Sequence, residues 1–94
     1  MKKLFKITLK PEALEEALPL ITEHTVRCRS DRGNVISEAY QSLDDPCVVY
    51  LLSAFDTPEN EKLHEGSEGD KAFIRKMQGK EAAPVEMLNW RQLV

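Results

Sequence analysis

Between Phe5 and Lys10 apolar and polar residues alternate, and at Pro11 the pattern changes its period. Phe5, Ile7 and Leu9 fall on one side of an extended chain and Lys6, Thr8 and Lys10 on the other, as in a strand buried on one face. The spacing predicts strand one over 3–10, with its lysines on a solvated face. From Pro11 onward Leu14, Leu18, Ile21 and Thr25 recur at i, i+4, i+7 and i+11, a single helical stripe that runs to about Cys28. Pro11 suits a first turn, where its missing N–H costs nothing, and Glu12, Glu15 and Glu16 favour the positive end of the helix dipole. Pro19 deletes one backbone bond and predicts a kink that leaves the stripe intact.

Asp31-Arg32-Gly33-Asn34 is a turn by residue type and leads into strand two over 35–43. Asp44-Asp45-Pro46 is a second turn. The nearly continuous apolar run at 47–52 then reads as a strand covered on both faces, hence a central strand three and a hairpin partner of strand two. Thr57-Pro58-Glu59 starts a short helix, with Thr as N-cap and Pro at its first position, that carries Leu63 and His64 and stops at Gly66. Ser67 with Asp70 resembles a capping box for a further helix, whose buried side is Phe73, Ile74 and Met77 and whose stop is Gly79. Strand four is expected over 84–94, with Val85, Met87 and Leu93 on one face and Leu88, Trp90 and Val94 on the other. The order β-α-β-β-α-α-β is the split βαβ plan: a ferredoxin-like α+β fold with a four-stranded antiparallel sheet, as one domain over 1–94. One sheet face stays free of helices. Strands three and four are apolar on both sides, so that face is expected to meet a second copy in a homodimer, with Trp90 as an interface anchor.

Size points the same way. A chain of 94 residues buries only ~60–70% of its unfolded surface, so a monomer that also keeps a ligand cavity would be marginal. A net charge of -3 opposes nucleic-acid binding, which rests on clustered Lys and Arg. The opening MKKLFKITLK imitates a secretory leader, but Lys6 and Lys10 interrupt the apolar run of about 7–15 residues that a leader needs. No stretch approaches the ~20 apolar residues of a membrane span. Cys28 and Cys47 are isolated and read as free thiols, which suits a reducing compartment and a cytoplasmic location.

Few residues carry chemistry. His64 lies at the end of a short helix, and imidazole is the side-chain type suited to general-base work near neutral pH; the bland reading is a helix-end histidine with no role. His24 and Cys28 have the i, i+4 spacing of two metal ligands, yet no third ligand is in view, so they read as structural and no metal is expected. His64-Glu65 opens like a zinc-protease helix, but Glu68 stands where the second His is required. The EGSEG stretch at 65–69 lacks the lysine and spacing of a phosphate loop and reads as a mobile helix connection that gates a pocket. Tyr40 is either a donor to a phenolate or a cross-strand packing residue. Phe5, Leu51 and Phe55 line an apolar pocket or fill the core. Arg27 and Asn34 hold a polar substituent or cap the helix.

Arg27, Gly33-Asn34, the Tyr-Gln-Ser-Leu-Asp-Asp-Pro run at 40–46, and His64 with Ser67 and Phe73 together resemble the antibiotic biosynthesis monooxygenase domain family. The resemblance covers almost the whole chain and is most specific from Gly33 to Phe73. It implies a dimeric α+β barrel, in which two ferredoxin-like sheets meet face to face and each subunit keeps a pocket between helices and sheet. It implies oxidation of electron-rich aromatics by molecular oxygen without flavin or metal, hence no cofactor, with His64 as the pocket histidine. Phe5, Arg27, Asn34, Tyr40, Leu51, Ser53 and Phe55 are then the substrate contacts. Haem-degrading relatives need an Asn on strand one and a Trp on strand three, where this chain has Phe5 and Phe55. Ser53 replaces a frequent Glu, and Gly69 a second His. The expected activity is thus monooxygenation of a quinol-like or phenolic small molecule. The alternatives are an isomerase or degrading enzyme for a small polar metabolite, favoured by polar contacts around Ser37, Ser53 and Arg27, and a non-catalytic small-molecule binding module, favoured by a filled core with His64 in solvent.

Overall fold

The N-terminal alternation becomes β1, Lys2–Thr8, in the computed structural model, which describes residues 2–94. A single 3-10 turn, Pro11–Ala13, leads into α1, Leu14–Cys28, which continues through Pro19 to its end. Then come β2, Asn34–Gln41; β3, Val48–Phe55; α2, Pro58–Glu65; α3, Glu68–Met77; and β4, Glu86–Leu88. The strands form one antiparallel sheet in the order β2-β3-β1-β4, with β3 central as its unbroken apolar sequence requires. This is the ferredoxin-like α+β arrangement.

Strands one and two end two residues earlier than the sequence reading has them, at Thr8 and Gln41, and two larger differences follow. β3 runs to Phe55 and not to Leu52, because Ser53 and Ala54 pair with β1 on one side and with Ser37 and Ile36 of β2 on the other. Ladder bonds on both edges extend the strand past its apolar run. Strand four shrinks to three residues, paired only with Leu4, Phe5 and Lys6. Beyond it a side chain takes over from the ladder: the Trp90 indole Nε1 donates to the Lys2 carbonyl at 3.0 Å.

Register decides which residues meet the helices. Phe5 lies opposite Leu51, Ile7 opposite Val49 and Lys3 opposite Ser53, so the odd residues of β1 and β3 share one face. There Ile7, Leu9 and Val49 close on Ala17 and Ile21 of α1 and Met77 of α3 as the buried core. Burial of each large side chain contributes roughly 1.5–3 kcal/mol, which is what fixes the register. The even residues face away. On that side Leu88, Leu4 and Leu52 form one cross-strand row, and Glu86, Lys6, Tyr50 and Tyr40 form the next. No described helix covers these rows.

Gly33 holds the turn between α1 and β2. Its φ is 78°, a left-handed conformation that side chains rarely adopt, and a Cβ there would run into Asp56 Oδ1 and the Asn60 side chain. Both helix starts behave as read: Thr57 Oγ1 accepts from the Asn60 amide and Ser67 Oγ from the Asp70 amide, each at 3.2 Å. Gly79, with φ 82°, follows the end of α3. Among the described residues no helix is long and apolar enough to cross a membrane. Cys28 and Cys47 are both free thiols.

Candidate functional site

Between the helix-covered sheet face and the three helices lies a cavity of about 570 Å³, with Phe5, Ile7, Leu51 and Phe55 among its sheet-side walls and Phe73 and Met77 opposite. That size is in the range of small-molecule sites. A wider depression on the outer side of α1, against Leu18, Pro19 and Val26, is shallow and open.

His64 projects into the cavity from the last turn of α2. Its Nδ1 lies 2.6 Å from Asp31 Oδ2, and its ring leans on Phe55 with centroids 4.9 Å apart. A carboxylate can only accept, so Nδ1 carries a proton, and in the neutral ring Nε2 keeps its lone pair. Nε2 is the free end of an Asp–His dyad, the arrangement that makes an imidazole a general base. Asp31 comes from the tight turn that Gly33 enforces, so the orienting carboxylate depends on a backbone shape.

His24 is set the opposite way. It is 8% exposed and stacks face to face on Phe73, with centroids 3.9 Å apart and planes 6° from parallel. Arg27 Nη2 lies 2.7 Å from His24 Nδ1. A guanidinium can only donate, so here Nδ1 accepts and the proton resides on Nε2. Burial first, and the Arg27 charge second, depress its pKa from 6.5 to about 4. The ring is therefore neutral at physiological pH. Arg27 is itself held by a bond to the Gly69 carbonyl at 2.8 Å. A Cβ at Gly69 would come within 2.9 Å of Arg27 Nε, so a larger residue there would make the guanidinium shift.

Both free imidazole corners face one carboxylate oxygen. Asp70 Oδ1 lies 3.8 Å from His64 Nε2 and 3.9 Å from His24 Nε2. Burial raises the Asp70 pKa, while the His64 charge works against the rise. Cys28 Sγ sits 3.5 Å from His24 Nε2. Burial pushes this thiol up to about 11, so it stays protonated and is a poor nucleophile.

These positions revise the sequence reading in several places. Phe5, Asn34, Leu51, Ser53, Phe55 and His64 do line the cavity. Tyr40 does not. It sits on the uncovered sheet face, 52% exposed, with its hydroxyl donating to Glu38 Oε1 at 2.8 Å; strand alternation sends it away from the pocket. Arg27 holds no pocket substituent either, because it stands behind His24 and reaches the cavity only through that ring. Ser37 is turned inward, its hydroxyl donating to the Thr25 carbonyl at 2.7 Å. The structural reading of His24 and Cys28 rested on the want of a third ligand, and His64 supplies one: donor atoms of the three lie within 4.8 Å of one another. Arg27 nonetheless keeps the His24 proton on Nε2 and Cys28 remains a thiol, so the trio does not present three lone pairs. Asp31 and Asp70, read as turn and cap residues, are the groups missed. A signal existed, because His24, Arg27, Cys28 and Asp31 follow i, i+3, i+4 and i+7, one continuous stripe at the end of a helix.

No family model matches the sequence, and no curated protein matches it significantly. Solved structures do match. One is a protein of Nitrosomonas europaea whose name assigns it provisionally to the antibiotic biosynthesis monooxygenases, with TM-score 0.89, 17% identity, and 98% of this chain covered against 88% of that one. A similarly named protein of Bacteroides thetaiotaomicron has TM-score 0.89 and 21% identity, with 100% and 90% of the two chains covered. A conserved protein of Methanosarcina mazei has TM-score 0.86 and 19% identity, with 97% and 90% covered. At such identities the likeness establishes a shared fold along nearly the whole chain.

Proposed function

We propose that the protein is a cofactor-independent monooxygenase that oxidises a quinol-like or phenolic small molecule with molecular oxygen. The observation that carries this reading is the Asp31–His64 dyad, whose Nε2, a lone-pair nitrogen in the neutral ring, faces a largely apolar cavity. Nε2 removes the phenolic proton, and the resulting anion gives up an electron to oxygen far more readily than the neutral phenol. The radical pair combines at a ring carbon, the displaced C–H proton leaves, and O–O cleavage yields a quinone and water. One phenol and one dioxygen give one quinone and one water, with all four electrons that reduce the dioxygen coming from the substrate. The apolar walls exclude water around the radical pair. The names of the Nitrosomonas and Bacteroides fold neighbours support the same reaction class.

Two features weigh against the rival readings. Ser37 is tied to backbone and Arg27 to His24, so of the three polar contacts that a small polar metabolite would use only Ser53 is left at the cavity. His64 lines a cavity and does not point to solvent, unlike a histidine without a role. The uncovered row of Leu88, Leu4 and Leu52 supports a homodimer through that sheet face. The free thiols support a cytoplasmic location.

The test is oxygen uptake by chelator-treated protein with a panel of quinols and hydroxyarenes, using isotopically labelled oxygen. The expected result is equal consumption of oxygen and substrate, with one labelled atom in the product. His64→Ala should lower the rate ~10²–10⁴-fold at an unchanged melting temperature. No uptake above the rate without protein, across the panel, removes the reading.

A further inference from the structure

We propose that His24 and His64 form a two-sided clamp on a single substrate oxygen, with His24 Nε2–H donating to it and His64 Nε2 accepting its proton. The clamp selects molecules whose reacting group is an acidic phenolic or enolic hydroxyl at the edge of a flat apolar body. The inference rests on the reading of His64 as the base.

The argument starts from the two second partners. Asp31 accepts from His64 Nδ1 and makes that ring an acceptor at Nε2; Arg27 donates to His24 Nδ1 and makes that ring a donor at Nε2. Two chemically identical side chains are thereby given opposite roles. Their Nε2 atoms converge, each just under 4 Å from Asp70 Oδ1, and nitrogens of the two rings come within 4.8 Å. Two N···O hydrogen bonds of ~2.9 Å laid end to end reach across a separation of that order, so one oxygen set between the converging corners beside Asp70 can touch both.

A hydroxyl suits the pair better than a carbonyl or an ether, because only a hydroxyl both accepts from one ring and donates to the other. After proton transfer its oxyanion lies between two N–H donors, one on neutral His24 and one on the His64 imidazolium backed by Asp31. An alcohol of ordinary acidity would not give up its proton to imidazole, which limits the class to phenols and enols. Asp70 opposes the anion and favours the imidazolium; the Arg27 charge behind His24 favours the anion; the Cys28 thiol is neutral. Phe73 stacked on His24 and Phe55 against His64 make the surroundings flat and apolar.

The experiment uses 4-nitrophenol, whose anion absorbs visible light, and reads binding without turnover. Wild type should bind it as the anion and lower its apparent pKa. His24→Phe keeps the stacking surface but loses the donor, and should weaken anion binding ~10–100-fold, the usual worth of a hydrogen bond to a charged group. His24→Gln, which restores an N–H near the same position, should recover most of it. Nitrogen NMR of the imidazole rings should show His24 protonated at Nε2 and His64 at Nδ1. Should His24→Phe fail to fold, Arg27→Met serves instead. It frees His24 Nδ1, so the His24 titration should rise from about 4 and anion binding should weaken. Equal anion affinity in His24→Phe or Arg27→Met and wild type, or a His24 proton found on Nδ1, overturns the clamp. These readouts are independent of oxygen uptake, so a failure of the monooxygenase reading is seen separately.

Discussion

Acidification should unfold this protein through one residue. His24 is nearly inaccessible and its pKa is depressed from 6.5 to about 4, by burial first and by the Arg27 charge second. In the unfolded chain the imidazole takes up a proton near its ordinary value, whereas in the native state it resists until well below it. Between those two points the unfolded state binds more protons, so native stability is complete above about pH 6.5 and falls as the pH drops toward 4. At ~1.4 kcal/mol for each tenfold difference in proton affinity, the loss across the window amounts to about 3 kcal/mol, a large part of the ~5–15 kcal/mol that holds a domain together. Asp70 pulls the other way, because its raised pKa lets the native state bind a proton more readily than the unfolded chain does. The assay is urea unfolding at fixed protein concentration, from about pH 7.5 to about pH 4.5, on wild type and His24→Gln. The difference between the two curves isolates His24. Wild type should lose about 3 kcal/mol relative to the variant over that range. Parallel curves would refute the reasoning, since the histidine would then be titrating in the native state as it does in water.

Asp31→Asn should lower oxygen uptake ~10²–10⁴-fold with little change in melting temperature, because the amide no longer fixes the His64 proton on Nδ1; steady-state kinetics beside a thermal melt decide it. Gly33→Ala should lower unfolding free energy by about 1–3 kcal/mol, combining a left-handed backbone with a collision against Asp56 and Asn60. An unchanged urea midpoint would mean that the turn relaxes freely. Sedimentation equilibrium should show twice the chain mass, and Leu52→Glu, placed opposite Glu38 on the uncovered sheet face, should shift it to one chain mass. A wild-type monomer at micromolar concentration would remove that interface.

The architecture was legible because its signals are local. Alternation in β1, the stripe of α1, and the caps at Thr57 and Ser67 each state their own structure within a few residues. What failed was contextual. β4 reads as eleven residues by composition but pairs over three, because a strand needs a partner as well as a pattern. Tyr40 reads by residue type as a phenolate donor or a cross-strand packing residue, and counting alternate residues from Ser37 sends it to the other face. His64, Phe5, Leu51 and Phe55 share one cavity, as strand alternation and the short helix imply. The groups that decide the histidines' chemistry were harder to see, because Asp31 reaches His64 across 33 residues of sequence. Arg27 could have been paired with His24 from helical spacing alone. Its effect on the tautomer needs an observed atom-to-atom contact.

The catalytic candidate rides on a lightly anchored element. None of the residues of α2 is buried. Apart from the His64 ring against Phe55, its link to the sheet runs through Lys3, whose ammonium bridges Glu61 at 3.0 Å and Glu65 at 2.9 Å. Glu65 in particular is half open to water, and ion pairs of this kind contribute only ~0–1 kcal/mol each and fade as salt rises. Ionic strength thus becomes a control on how long His64 stays docked, separate from temperature, which acts mainly on the core of Ile7, Ile21 and Val49. Amide exchange in α2 should quicken with added salt while the amides of β3 hold their rate, so that the base is released from its carboxylate long before the sheet notices.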